Sequence, residues 1–204
     1  MTGETGGWLI PPSAQPGGRA PAPGSLALVQ SFINSHYDLD VDHGADLFAT
    51  ARALRDWLLA RRLIAARARV GRSDLERAVA AREGLRELAR ARGNGDADGI
   101  DGALWLLNDA APGAAVEVRF SRGRPRFVPA AGGGAVAAIG LVLGLTAEAM
   151  LDGSWSRLKI CPGDDCGWAF FDHSRNQTGR WCSMSVCGGR AKARSHYRRR
   201  RGGA

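Results

Sequence analysis

The sequence predicts an α+β fold: a mostly helical N-terminal domain with one β-hairpin, followed by a small four-cysteine zinc module with a basic C-terminal helix. Three observations lead there. Apolar residues recur at helical spacing between residues 25 and 110 and fill 135–151, a period-two alternation runs from Val116, and all four cysteines fall within residues 161–187. The 204 residues suffice for one domain with an appendage or for two small domains. With 45% hydrophobic and 24% charged residues, the chain is unlike a disordered, collagen-like or multi-span membrane protein.

Residues 1–24 hold five prolines and six glycines, which argue against any sustained helix or strand and predict a disordered leader. With no basic start and no apolar stretch of useful length, that leader is not a secretory signal, so a cytoplasmic protein is expected. A domain over 25–153 follows. Leu26, Val29, Phe32 and Ile33 share one helical face, which ends in the polar stretch NSHYDLDVDHG. Leu47, Ala51, Leu54 and Leu58 mark a second helix, with Asp46 near its start and Trp57 beside the stripe. Ser73-Asp74-Leu75-Glu76 has a capping-box pattern and opens a third helix through Leu75, Val79, Leu85 and Leu88, broken at Gly93 and Gly95. A fourth, shorter helix is expected over 101–110. Val116, Val118 and Phe120, then Phe127-Val128, predict the hairpin. The apolar run 135–151 is shorter than a membrane span needs and contains Glu148, so it is expected as a buried helix despite its Gly140-x3-Gly144 spacing. The glycines at 132–134 before it offer free N–H groups to an anion in principle, but lack P-loop spacing and predict a linker.

The net charge of +8 is unevenly placed. Residues 1–154 carry 17 basic and 17 acidic residues, whereas 155–204 carry 11 basic and 3 acidic. The imbalance points to a polyanion-binding module at 155–204, with nucleic acid ahead of a membrane surface.

Within that module, Cys161-x4-Cys166 and Cys182-x4-Cys187 are separated by fifteen residues, a spacing that suits a tetrahedral zinc site. Four thiolates leave no open position, so one structural Zn2+ is expected, needed for a segment with so few aliphatic residues to fold. Trp168 to Phe171 supply an aromatic strand. From Arg190 a helix is expected, with Arg190, Arg194, Arg198 and Arg201 forming a basic stripe and Ala193 and Tyr197 packing on the hairpin aromatics.

The stretch CPGDDCGWAFFDHSRNQTGRWCSMSVCGGRAKARSHYRRR resembles the CGNR zinc finger: Phe171-Asp172, Ser174-Arg175, Arg180 to Met184, Cys187-Gly188, Arg190 and Lys192 fall in register. Gly189 replaces the name-giving Asn, and Gly179 stands where a basic residue is common. Such fingers usually follow a helical bacterial domain, ABATE, described as a putative stress-induced transcription regulator. SFINSHYDL resembles its opening signature, with Asn34 at the Asn position, and LFATARALRDWLLARRLI resembles its second helix. The resemblance implies a treble-clef-like finger that binds DNA, on the nucleoid, and an N-terminal domain that senses a ligand.

A DNA-binding transcription regulator, not an enzyme, is therefore the leading expectation, with double-stranded DNA as partner and no membrane. Phosphates would be met by Arg175, Arg180, Arg198, Arg199 and Arg200, and base edges by Arg190, Lys192 and Arg194. RNA is the close alternative, since Trp168 or Trp181 could stack on bases, and an acidic protein surface is another. Asp172-His173 and Asn176 suggest an HNH-like nuclease, but the eight residues between His173 and Cys182 leave little room for such a site. Asn34, at the start of a polar loop with Ser35, His36, Tyr37, Asp38 and Asp40, is the candidate ligand-binding residue of a small-molecule pocket; capping a helix end is its competing role.

Overall fold

The computed structural model describes residues 15–36, 46–121, 123–163 and 166–201, with side chains described up to Tyr197. The element order is α1 (Leu26–Ile33), α2 (Ala51–Ala60), α3 (Arg72–Asn94), α4 (Ala97–Ala110), β1 (Val116–Ser121), β2 (Arg124–Pro129), α5 (Gly134–Leu151), β3 (Leu158–Ile160), β4 (Ala169–Phe171) and α6 (Gly189–Arg201). Two antiparallel hairpins, β1–β2 and β3–β4, accompany the helices, so the fold is α+β as expected.

Seven of the eight residues of α1 are buried, as befits a helix apolar nearly all round. It packs against α5, α3 and β4. Next to it Phe32, Phe48 and Trp57 form a ring cluster with centroids 5.3 to 5.8 Å apart. Here the expected second helix is corrected. It starts at Ala51, where the Thr50 hydroxyl accepts from the Ala53 N–H at 3.1 Å. Asp46 is not at its start: the carboxylate turns the chain by accepting from the Phe48 N–H and binds Arg82 through two oxygens, at 2.7 and 3.1 Å. Leu47 is left half exposed, and Phe48 and Trp57 take the core positions.

Helix α3 runs 23 residues, about 35 Å at 1.5 Å per residue, and touches every other helix of the bundle and β3. Its cap lies two residues earlier than the Ser73 pattern implied: the Gly71 N–H donates to Asp74 at 2.8 Å. It passes through Gly93 and ends at Gly95, whose φ of 69° is the left-handed conformation glycine adopts without strain. Helix α4 begins a turn before expected, because Asp96 caps the Gly99 N–H. The apolar stretch at 135–151 is α5, with ten buried residues. Contrary to the expectation that it is too short, its 18 residues are long and apolar enough to cross a membrane by length and composition alone; here most of them are buried in the bundle. The Gly140 spacing has an internal use: a Cβ at Gly140 would lie 2.6 Å from the Ala114 carbonyl oxygen, so glycine lets the helix pass the backbone leading into β1.

Hairpin β3–β4 belongs to two cores at once. Leu158, Ile160, Ala169 and Phe171 join the helical core, whereas Trp168 and Phe170, pointing the other way by the two-residue period of a strand, join the cysteines. The segment after residue 154 is thus not a separately packed appendage.

The expectation of a structureless leader is corrected over residues 15–24; residues 1–14 lie outside the described residues. A 3-10 turn at Pro16–Gly18 and the following chain lie across the four-cysteine module. Arg19 donates to the Trp181 and Cys182 carbonyls, both at 3.1 Å, and its guanidinium stands 4.9 Å from the centre of the Phe170 ring. Proline and glycine preclude a helix there, yet leave side chains and carbonyls free to pack.

Candidate metal centre and basic surface

Cys161 follows β3, Cys166 precedes β4, Cys182 follows Trp181, and Cys187 lies in a π-helical turn, Met184–Gly188, that runs directly into α6. All four side chains are buried and none is in a disulfide. Their sulfurs lie within 4.8 Å of one another, with Cys166 to Cys182 and Cys182 to Cys187 at 3.7 Å. A tetrahedron of 2.3 Å zinc–sulfur bonds requires sulfurs about 3.8 Å apart, so the cluster has the dimensions of a closed zinc site with four thiolate ligands.

The electrostatics of the sulfurs favour a cation. Hydrogen bonds from the Cys166 and Cys182 thiols, with the N–H groups of Cys182 and Gly163, pull the Cys161 thiol far below its ordinary range. Hydrogen bonding to Cys161 pushes Cys166 and Cys182 up, and burial pushes up Cys187. One thiolate forms readily; four together need a divalent ion at their centre. The N–H donors to sulfur then form the supporting shell that orients such ligands.

The fingertip is braced by Asp172. Burial would raise its carboxyl, but the Lys159 ammonium at 2.7 Å, the Ser174 hydroxyl and N–H, and the Gly179 N–H hold it well below the usual carboxylate range. A Cβ at Gly179 would stand 2.8 Å from the carboxyl carbon and both oxygens, which accounts for glycine at that departure from the CGNR pattern. At Gly189 the nearest atom would be 3.6 Å away. His173 contacts the Ala20 and Pro21 carbonyls through Nε2. Asp172 and His173 are thus both engaged in contacts that hold the chain together, and the geometry gives the HNH-like alternative no support.

Asn34 is placed differently from the expected pocket lip. It ends α1, and its carboxamide clamps the outer edge of β4, accepting from the Ala169 N–H and donating to the Ala169 carbonyl, both at 2.8 Å. Gln30 of the same helix adds a 3.0 Å bond to that carbonyl. Ala169 faces away from β3 in the ladder, so α1 supplies through side chains what a third strand would supply through backbone. Of the loop expected beside it, residues 37–45 lie outside the described residues. Asn34→Ala leaves the Ala169 N–H without its acceptor while Gln30 still serves the carbonyl. The expected cost is about 1–3 kcal/mol, or roughly 2–12 °C in a thermal melt at about 2–4 °C per kcal/mol, with zinc content unchanged. A melt identical to the parent's would contradict the clamp.

Arg175, Arg180, Arg190, Lys192 and Arg194 are all exposed, the last three on α6, and Arg180 stacks its guanidinium 5.1 Å from the Trp181 ring centre. The side chains of Arg198, Arg199 and Arg200 lie outside the described residues. Ala193 and Tyr197 are both exposed and border, together with Trp181, one open groove. Helix α6 rests chiefly on the 184–188 turn. Trp168 is buried, its Nε1–H donating to Gln15 at 3.2 Å. Sequence reasoning missed Arg19 and Gln15 altogether, because nothing local marks a polar side chain that bonds the chain more than 150 residues away.

The helical domain and the closed four-cysteine centre define a zinc-finger protein with a fused N-terminal bundle. Residues 157–200 match the CGNR zinc finger, and residues 26–153 match ABATE, described as "Putative stress-induced transcription regulator". The chain belongs to the ABATE family and carries a CGNR zinc finger behind that domain. A comparison with curated proteins finds no match. The four cysteines hold one structural zinc ion.

Proposed function

We propose that the protein is a DNA-binding transcription regulator that contacts double-stranded DNA through the zinc finger and α6, acting on the nucleoid, with the domain over 26–153 as its sensor. The observation that carries this reading is the set of exposed basic side chains in the first turns of α6, Arg190 and Arg194 on one face and Lys192 on the opposite one, set on a helix whose direction Cys187 fixes at the metal. Lys/Arg side chains on such a helix neutralise phosphates, and those in its N-terminal half are best placed for base edges.

The open groove beside Trp181 and Tyr197 favours a second reading, single-stranded RNA, because an aromatic floor accepts unstacked bases. Selection of bound fragments from a random duplex pool, with and without a zinc chelator, tests the first reading. A recurrent duplex motif recovered only without chelator is the expected outcome. Enrichment of no duplex, with a random single-stranded RNA pool retained instead, would overturn it in favour of the second.

A further inference from the structure

The domain over 26–153 is neutral in sum, but its arginines are not evenly spread. From Arg52 to Arg72 stand seven arginines and one acidic residue, Asp56. Several are used internally: Arg55 donates to the carbonyls of Ala66 and Ala68, Arg61 to Trp57 and Ser31, and Arg72 pairs with Glu76. The Arg55 bonds hold the loop between α2 and α3 in one shape. Three arginines of that loop, Arg62, Arg67 and Arg69, are exposed, and among the described residues none of their guanidiniums has a hydrogen-bond or ion-pair partner.

All three line one cleft of 720 Å³ between this loop and residues 129–135. Its wall also carries the partly exposed apolar side chains of Ile64 and Pro129. The single carboxylate on it, Asp74, already accepts from the Gly71 N–H. The start of α5 borders the same cleft, without a capping side chain or an acidic residue in its first turn, and adds partial positive charge to that of the arginines. The volume is that of a site for a nucleotide-sized molecule, and unpaired guanidiniums beside an apolar wall ask for an anion with an organic body.

We propose that this cleft binds a phosphorylated small molecule, its phosphates held by Arg62, Arg67 and Arg69 and its uncharged body against Ile64 and Pro129. The site is separate from the finger and does not depend on the DNA-binding reading; it names the class of ligand and the place for the sensing role. Full-length protein is titrated calorimetrically with ADP, pyrophosphate and adenosine at fixed ionic strength. ADP should bind, pyrophosphate at least fivefold more weakly, and adenosine not measurably. The R62A/R67A/R69A variant, altered only at exposed side chains, should lose at least tenfold in ADP affinity with an unchanged thermal melt. A chain lacking 189–204 should bind ADP as the full chain does, so failure of the finger assignment would leave this result standing. Adenosine or pyrophosphate binding as tightly as ADP, or undiminished ADP binding by the triple variant, would overturn the proposal. So would displacement of ADP from the shortened chain by duplex DNA, which would make the arginines a phosphodiester surface.

Discussion

Cys182→Ser is expected to release the zinc and to lower the stability of the whole chain, helices included, by well over 10 °C. The reason lies in hairpin β3–β4. Zinc holds its outer face through Cys161 and Cys166, and zinc binding to peptides of this kind contributes on the order of 10–16 kcal/mol. Its inner face places Leu158, Ile160 and Phe171 among the helices, with Trp155 just before β3. At roughly 1.5–3 kcal/mol for each large buried side chain, these four stabilise the bundle by about 6–12 kcal/mol, comparable to the roughly 5–15 kcal/mol net stability of a typical domain. The Arg92 guanidinium of α3, which donates to the carbonyls of Trp155, Ser156 and Leu158, loses its partners when the hairpin loosens. Metal analysis should give one zinc per parent chain and none for the variant, and far-UV circular dichroism should show the helical melt moving down with it. Loss of zinc with an unmoved helical melt would mean that the finger is independent of the bundle. Less than half an equivalent in fresh parent protein, or a disulfide found by mass spectrometry, would remove the metal site itself.

The cysteine quartet was legible in the sequence because metal-ligand spacing is local, and the helices because apolar periodicity is local too. Long-range partners were not. Asp46 and Phe48 read as the opening of a helix until Arg82, 36 residues on, takes the aspartate and α2 begins instead at Ala51, capped by Thr50. Arg82 and Arg86 would be placed on a solvent face by their charge, yet both are buried: Arg82 against Asp46 and Glu83, Arg86 against Glu83 and the Ile33 and His36 carbonyls. The role of Asn34 needed the bare edge of β4 to be seen, and the packing of residues 15–24 needed the backbone carbonyls of the finger. The unpartnered arginines of the 61–71 loop were hidden by the neutral sum over their domain. In each case the missing information was the identity of a distant polar partner, or its absence, which no periodicity carries.

Deleting residues 189–204 is expected to abolish specific DNA binding while leaving the zinc and the bundle in place. Seven of the eleven basic residues beyond residue 154 are removed by that cut, and all four cysteines precede it. Of the four that remain, Lys159 is held by Asp172, and Arg157 donates to the Asp172 and Ser174 carbonyls, so Arg175 and Arg180 are the two left to meet phosphate. If the full chain neutralises five to seven phosphates, log K should fall against log salt with a slope of about −4.5 to −6 at −0.9 per contact; two contacts give about −2. At 150 mM salt, affinity for a selected duplex should drop at least a hundredfold. Because α6 packs chiefly on the 184–188 turn, the thermal melt should move by only a few degrees. The R190A/K192A/R194A variant separates the first turns of the helix from the arginines that follow them: a loss of base preference with weakened but salt-dependent binding is the expected result. Undiminished affinity after the deletion would remove α6 from the DNA interface and leave Arg175, Arg180 and the groove beside Trp181 as the surface to test.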